Sequence, residues 1–322
     1  MTKKPILIVA GEPYSIFSEI FFKSLKKINL KRPLVLIASK KIFKQQMKKL
    51  GYKFYYEDID RNLTKKINNK RKIINIIDVQ FNFKKTFDKI SDKSNSYISE
   101  CFFIANTLLK NKKAFALING PISKENFLKA KYLGITEYLA KMNDIKKFAM
   151  LIYNKRLSVS PITTHIAIKK VSSEISKKKI INQVSLIRKF YYSLSNKNIK
   201  IGITGLNPHC ESNFKDSEEK SIITPAIKYL KKKNYKVIGP LPADSLFMDE
   251  NRNNFDVVIG MYHDQVLTPI KTIHNFDAIN ITLGLPYLRI SPDHGTNNQM
   301  IGKNRSNYTS LFSAIKFLTN YK

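Results

Sequence analysis

Three of the five histidines in this sequence stand where strands are predicted to end, and together they could bind a metal ion. They are His165, His209 and His263. Three imidazoles with open coordination positions suit zinc, manganese, cobalt or a similar borderline divalent ion. Because dozens of residues separate them, this site depends on the fold bringing them together. The alternative is that they are three unrelated polar residues in turns.

Two carboxylates could support such a site: Asp264 stands next to His263, and Asp244 ends another predicted turn, at residues 239–244. A histidine that binds a metal usually gives its other ring N–H to a carboxylate or carbonyl, which fixes the tautomer. The same two carboxylates, together with Lys271, are candidates for the group that moves a proton during a reaction. Residue type alone does not decide whether these side chains support a metal ligand or move a proton.

A second set of side chains is suited to an anion. Lys271, Asn280 and Arg289 offer two cations and an amide, which match a carboxylate or a phosphate. Lys271 could equally be a solvated surface group, whereas Arg289 stands between two prolines in a predicted structured loop. Thr136 stands near the start of a predicted helix, where a hydroxyl and free N–H groups could hold a phosphate or simply cap the helix.

Strands and helices alternate along the chain, which predicts an α/β fold with a mixed sheet and helices on its faces. Short apolar runs predict the strands, and apolar residues at helical spacing predict the helices. The predicted strands include residues 5–10, 33–38, 114–118, 148–152, 157–161, 200–204, 255–261 and 278–283. The predicted helices include residues 16–27, 41–50, 94–109, 174–194, 217–232 and 308–318. No internal domain boundary is readable.

Length and composition limit the classes of protein to which the chain could belong. The chain has 322 residues and 43% hydrophobic residues, enough for one large or two moderate domains. No window approaches the roughly 18 consecutive apolar residues of a membrane helix. Two cysteines, Cys101 and Cys210, make no disulfide framework and suit a reducing cytoplasm.

The formal net charge of +33 is the one feature that favours nucleic acid. The lysines, however, are spread along the whole chain among asparagines and isoleucines, as expected for an AT-rich coding sequence. A basic nucleic-acid-binding protein therefore stays an alternative of another class, and it gives no reason for three histidines at strand ends.

Six motifs, in order, resemble the 4-hydroxythreonine-4-phosphate dehydrogenase (PdxA) family of vitamin B6 synthesis. The match covers nearly the whole chain and is densest from residue 160 onward. The motifs are Thr163-Thr164-His165, Gly205-Leu206-Asn207-Pro208-His209, Gly239-Pro240-Leu241-Pro242-Ala243-Asp244, Met261-Tyr262-His263-Asp264-Gln265, Asn280-Ile281-Thr282-Leu283-Gly284-Leu285-Pro286 and Asp293-His294-Gly295-Thr296.

This resemblance implies a two-lobed fold of the isocitrate/isopropylmalate dehydrogenase type, and a homodimer with its site at the interface. It implies a divalent metal (zinc, magnesium, manganese or cobalt) on His165, His209 and His263. It implies that NAD or NADP is the cofactor. The substrate residues that it implies are Thr136, Lys271, Asn280 and Arg289. The loop that it implies for the cofactor is Asp293, His294, Gly295 and Thr296.

The implied reaction is oxidation of 4-phosphooxy-L-threonine to 2-amino-3-oxo-4-phosphooxybutanoate, which decarboxylates to 3-amino-2-oxopropyl phosphate. Two departures from the family pattern bear on it. Ile135 replaces a histidine that contacts phosphate, and residues 11–19 lose two glycines and a proline of the family's motif. Losing one charge-assisted contact costs roughly 1.5–3 kcal/mol, enough to shift the substrate. The alternatives are therefore a dehydrogenase of another four-carbon phosphorylated hydroxy acid, or a relative without activity.

Overall fold

The computed structural model describes residues 3–129, 131–210, 216–274 and 278–321. Strands alternate with helices, and the predicted α/β class is confirmed. The chain divides into two compact units, Met1–Asn143 with Leu285–Lys322 and Asp144–Gly284. No helix among the described residues is both long and apolar enough to cross a membrane.

The strands within the described residues are β1 Ile6–Val9, β2 Leu34–Ala38, β3 Tyr55–Asp58, β4 Ile73–Asp78, β5 Ala116–Asn119, β6 Ala149–Tyr153, β7 Ser158–Pro161, β8 Ile201–Thr204, β9 Val237–Leu241, β10 Val257–Gly260, β11 Ile279–Leu283 and β12 Leu288–Ser291. The α-helices are α1 Phe17–Lys27, α2 Lys40–Lys49, α3 Asn95–Lys110, α4 Ile135–Met142, α5 Val171–Glu174, α6 Lys177–Ser195, α7 Thr224–Lys232, α8 Ala243–Leu246, α9 Asp249–Arg252, α10 His263–His274 and α11 Thr309–Asn320.

The first unit, Met1–Asn143 with Leu285–Lys322, is built on a parallel sheet. Its strand order is β3-β4-β2-β1-β5-β12, and every described pairing is parallel. Strand β1 is apolar at every position and fully buried, as expected for a parallel strand covered on both faces. Helix α3 packs on β1, β2 and β5. Parallel pairing brings the carboxyl end of β5 next to β12, which carries Arg289.

An aromatic cluster on α1 and α2 fills part of this unit's core. Phe17 and Phe21 stack with ring centroids 5.8 Å apart, and Phe22 meets Phe43 edge-on at 5.8 Å. Phe17 and Phe21 are four residues apart and therefore lie on one face of α1. Each such side chain contributes about 1.5–3 kcal/mol by its burial.

The second unit, Asp144–Gly284, has a mixed sheet of order β11-β6-β7-β10-β8-β9. Strand β6 runs antiparallel to β11 and β7, whereas β7, β10, β8 and β9 run parallel to one another. Their core includes Val159, Val258, Val266 and Ile270, all buried. The carboxyl ends of β7, β10 and β8 therefore meet at one edge of the sheet.

Two sequence-based predictions were wrong in detail. Arg289 lies in strand β12 and not in a loop, because the two prolines that flank it bracket a four-residue strand. The predicted turn at residues 239–244 contains the end of strand β9 and the start of helix α8. Pro240 is tolerated there because β9 ends the described strand order, where a missing N–H breaks no ladder bond. Strand β4 was not predicted, and its polar Asn75 is buried with its amide bonded to Leu34 O.

Candidate active site

The three histidines follow three neighbouring parallel strands of the second unit. His165 follows β7, His263 follows β10 and His209 follows β8, with β10 between the other two. The rings of His165 and His263 have centroids 5.8 Å apart. Among the described residues of this single chain, no three histidine, cysteine or acidic side chains form a group that could hold a metal ion. The structure thus brings two histidines together, and the complete triad stays a prediction.

The two predicted supporting carboxylates lie beside histidines. Asp264 Oδ1 is 2.6 Å from His263 Nδ1. This hydrogen bond occupies Nδ1, so Nε2 is the ring nitrogen that is available to bind a metal ion. Asp244 Oδ2 is 3.6 Å from His209 Nδ1, close enough for an ion pair but longer than a hydrogen bond. The side chains of His209 and Asp244 are 68% and 62% exposed, so solvent weakens this pairing.

The turn that carries His209 has an unusual backbone. His209 and Cys210 both have positive φ angles, 56° and 58°. This left-handed conformation costs roughly 1–2 kcal/mol for each residue that is not glycine. Other bonds must therefore hold the turn in place.

Glu219 supplies those bonds. Its Oε1 accepts hydrogen bonds from the backbone N–H groups of Leu206 and Asn207, both at 2.8 Å, and its Oε2 accepts one from Asn207 Nδ2 at 2.9 Å. Burial alone would raise the pKa of Glu219, but the bonds from Asn207 and Leu206 outweigh it and hold the pKa below its ordinary value. Sequence analysis missed this residue, because its spacing from His209 matches no motif.

The turn that carries His165 is tied to the turn that leads from β10 into α10, whose first residue is His263 (the His263 turn). Ile162 N donates to Gly260 O at 2.8 Å. Thr163 donates twice to Met261 O, from its backbone N–H at 3.2 Å and its hydroxyl at 2.8 Å. These bonds extend the β7–β10 ladder past the ends of both strands and account for the closeness of the two rings.

A buried polar cluster in the first unit surrounds Arg289. This side chain has no exposed surface; its Nε donates to Asn119 Oδ1 at 2.8 Å and its Nη1 donates to Thr136 Oγ1 at 3.1 Å. Burial lowers the pKa of Arg289 to about 10, against the opposing effects of Tyr287 and Glu137. The guanidinium therefore stays charged at neutral pH. Thr136 lies in the first turn of α4, where N–H groups also favour an anion.

Lys271 and Asn280, the other two predicted substrate residues, belong to the second unit. Lys271 is exposed on α10, and Asn280 lies on β11 opposite Ile152 of β6. The structure thus brings Thr136 and Arg289 together, and it adds Asn119, the last residue of β5. A common site for all four predicted residues stays a prediction.

The loop predicted for the cofactor, Asp293, His294, Gly295 and Thr296, belongs to the first unit and is anchored at both ends. Asp293 N donates to Ser310 Oγ at 2.8 Å, and Thr296 O accepts a bond from Ile16 N at 3.3 Å. Burial lowers the pKa of His294, although Asp293 opposes this effect. His294 is therefore neutral at pH 7 and presents an uncharged ring. Contact with a nucleotide stays a prediction.

Comparison with known proteins agrees with the motifs. The family model described as "Pyridoxal phosphate biosynthetic protein PdxA" matches residues 29–318. A 4-hydroxythreonine-4-phosphate dehydrogenase of Sulfurihydrogenibium sp. (strain YO3AOP1) is 37% identical over 317 residues, 97% of this chain and 96% of that protein. A D-threonate 4-phosphate dehydrogenase of Salmonella typhimurium is 29% identical over 98% of each chain.

A solved structure shows the same fold. The crystal structure of 4-hydroxythreonine-4-phosphate dehydrogenase from Klebsiella pneumoniae matches with a TM-score of 0.85 and 27% identity, over 98% of each chain. This agreement over nearly all of both chains includes both compact units.

Proposed function

The chain belongs to the pyridoxal phosphate biosynthetic protein PdxA family, and from this membership we propose that it oxidises 4-phosphooxy-L-threonine with NAD or NADP. The product is 2-amino-3-oxo-4-phosphooxybutanoate, which decarboxylates to 3-amino-2-oxopropyl phosphate in pyridoxine 5'-phosphate biosynthesis. The observation that carries the proposal is the placement of His165, His263 and His209 after three adjacent parallel strands. Ligands in such sheets bind outside the carboxyl ends of the strands.

The histidine turns fit a divalent metal. Asp264 holds His263 through Nδ1 at 2.6 Å, so the opposite nitrogen is the one available to an ion, as in other histidine metal sites. When bound, a divalent ion supplies Lewis-acid polarisation of the substrate hydroxyl. Asp244, Asp264 and Lys271 are the groups that could accept the hydroxyl proton. We propose, from the family resemblance, that the ligands are shared across a homodimer.

The Arg289 cluster fits a phosphorylated acid. Its guanidinium is buried, charged and already oriented by Asn119 and Thr136, so binding an anion requires little further ordering. In this proposal, Arg289 and Thr136 hold the anionic end of the substrate, and Lys271 and Asn280 contact its other polar groups. The loop of Asp293, His294, Gly295 and Thr296 receives the nucleotide, which when bound supplies the hydride acceptor. In the same proposal, the chain acts as a single catalytic unit in the cytoplasm.

Ile135 favours a second candidate substrate, D-threonate 4-phosphate. This residue replaces a phosphate-binding histidine of the 4-hydroxythreonine-4-phosphate dehydrogenase pattern, at the first position of α4. One relative that covers 98% of the chain acts, by its name, on D-threonate 4-phosphate. Both substrates are four-carbon phosphorylated hydroxy acids, so the same histidines and Arg289 would serve either.

One assay tests the proposal. NADH and NADPH formation is followed by absorbance with 4-phosphooxy-L-threonine and, separately, with D-threonate 4-phosphate, each with and without a chelator. We expect turnover of 4-phosphooxy-L-threonine that the chelator abolishes and added divalent metal restores. Greater turnover of D-threonate 4-phosphate would favour the second candidate. Turnover of neither substrate, together with tight DNA or RNA binding that weakens steeply with salt, would replace both by the nucleic-acid alternative.

A further inference from the structure

The side chain of Gln265 connects the turns that carry His263 and His209. Its Oε1 accepts hydrogen bonds from Met261 N at 2.7 Å and from the Thr204 hydroxyl at 2.9 Å. Its Nε2 donates to Gly205 O at 2.8 Å. One amide group thus bonds to the residue after β10 and to the last residue of β8 and the one after it.

These bonds continue the β8–β10 ladder where the backbones separate. The two strands pair as far as Ile259 and Ile203, the last described partners of this ladder. Beyond that point the chain turns away on both sides, towards the histidines. The amide of Gln265 offers an acceptor to Met261 N and a donor to Gly205 O, as a neighbouring peptide group would. It therefore takes the place of the next pair of ladder bonds.

Two glycines make room for this arrangement. A Cβ on Gly260 would lie 2.4 Å from Val266 Cγ1 and 3.0 Å from Gln265 Oε1. A Cβ on Gly205 would lie 2.7 Å from Cys210 Sγ and 3.0 Å from Glu219 Oε1. A side chain at either position would displace Gln265 or the His209 turn, so the glycines and the amide form one arrangement.

We infer that Gln265 is a positioning residue for the metal site, because within each subunit of the proposed homodimer it fixes the turns before His263 and His209 against each other. This inference rests on the metal assignment in the proposed function. Thr163 already joins the His165 turn to Met261, and Met261 N is a partner of Gln265. Gln265 is thus the side chain through which the His209 turn is connected to the other two. Removing its bonds should loosen the relative placement of the ligands without removing any ligand.

The test measures metal affinity apart from activity. Gln265→Met keeps most of the side-chain volume and removes all three bonds. Gln46→Met is the matched control, since Gln46 is a buried glutamine of the first unit whose Nε2 donates to Pro13 O and Thr86 O. Each full-length protein is titrated with Co²⁺, which reports both affinity and coordination geometry through its visible spectrum, and its thermal unfolding is recorded without metal.

We expect Gln265→Met to weaken Co²⁺ binding by about tenfold, the lower end of the effect of outer-shell residues. The Co²⁺ spectrum should also broaden, because the ligand geometry is less fixed. Gln46→Met should lower the unfolding temperature and leave Co²⁺ affinity and spectrum unchanged. If Gln265→Met does not fold, Thr204→Val, which removes one of the three bonds, should weaken Co²⁺ binding by a smaller factor.

Two outcomes would overturn the inference in distinguishable ways. If the unsubstituted protein does not bind Co²⁺, the metal assignment of the proposed function is wrong, and the inference falls with it. If the unsubstituted protein binds Co²⁺ and Gln265→Met binds it as tightly, or Gln46→Met weakens it equally, the role of Gln265 alone is wrong.

Discussion

The Arg289 cluster and the histidine turns differ in how far the side chains proposed to bind ligands are exposed to solvent. Arg289 has no exposed surface and Thr136 is 8% exposed, so this region is assembled and desolvated within one unit. The side chains of His209 and Asp244 are more than half exposed, and hydrogen bonds to the backbone of residues 205–207 hold the turn that carries His209 in place. Substitutions in the first region should therefore change stability and binding together. In the second, substitution of an exposed side chain that is proposed as a metal ligand should change binding alone.

Arg289→Met should have the largest effect. It removes a buried charge that bonds to Asn119 and Thr136, and leaves both partners buried without it. We expect the free energy of unfolding to fall by about 3 kcal/mol and substrate binding to be lost. Chemical denaturation and the NADH assay measure the two effects. Arg156→Met, at an exposed arginine, is the control and should change stability by less than about 0.5 kcal/mol. Equal stability of the two variants would remove the contrast between the regions.

His209→Asn should greatly weaken metal binding and leave stability almost unchanged. Asparagine tolerates the left-handed backbone of this position, so the substitution isolates the loss of the imidazole. Outer-shell changes cost 10–100-fold in metal affinity or activity, and loss of a ligand should cost more than about 100-fold. Stability without metal should change by less than about 0.5 kcal/mol, since the side chain is exposed. Metal content after dialysis and activity at fixed metal give the result. Unchanged metal content would exclude His209 as a ligand.

The sequence predicted most of the elements and the candidate residues of both regions, and it could not predict the contrast between them. Apolar runs and helical periodicity predicted most strands and helices, because these patterns are local. That His165, His209 and His263 follow strands was therefore predictable. That β10 lies between β7 and β8 was not, because strand order depends on pairings between residues far apart in sequence. Without that order, nothing in the sequence says which turns are neighbours.

The supporting residues were hidden for a related reason. Gln265 stands in a motif next to Asp264, and its role becomes visible only when Gly205 is found opposite it. Arg289 lies in a strand of four residues, too short for alternation to reveal, and the two prolines that flank it suggested a loop. A buried charge becomes plausible only once its partners, Asn119 and Thr136, are known. Motif resemblance supplied the residues, and the fold supplied their partners.

Ile135→His tests whether the start of α4, beside the Arg289 cluster, faces the substrate phosphate. Ile135 precedes Thr136 at the start of α4, so an imidazole there would add a donor beside the Arg289 cluster, which we propose binds the anion. We expect the KM for 4-phosphooxy-L-threonine to fall by about tenfold, since one charge-assisted bond contributes roughly 1.5–3 kcal/mol before side-chain ordering is deducted. Ile135→Val is the control and should leave KM unchanged. Steady-state kinetics with both candidate substrates make the measurement. An unchanged KM for both would mean that this helix start does not face the phosphate.

Glu219→Gln should give the smallest effect, confined to part of the pH range. Hydrogen bonds from Asn207 and Leu206 hold the pKa of Glu219 below its ordinary value despite its burial. A carboxylate with a lowered pKa stabilises the folded protein above the unfolded pKa, and this contribution is lost as the pH falls through the folded pKa. The free energy of unfolding of the unsubstituted protein should thus be about 1 kcal/mol higher than that of Glu219→Gln at pH 7. This difference should shrink below about pH 4.

Thermal unfolding of both proteins from pH 7 to pH 3, without metal, measures this difference. Glu250→Gln, at an exposed carboxylate of α9, is the control. Its unfolding temperature should change with pH in the same way as that of the unsubstituted protein. If the unfolding temperature of Glu219→Gln also changes in the same way, the carboxylate does not hold the His209 turn through its charge. A converging pair of curves would instead show that this exposed region depends on one buried anion, as the Arg289 cluster depends on one buried cation. The two regions would then differ in where the buried charge lies: in the ligand-binding group of the first, and behind the ligand-binding turn of the second.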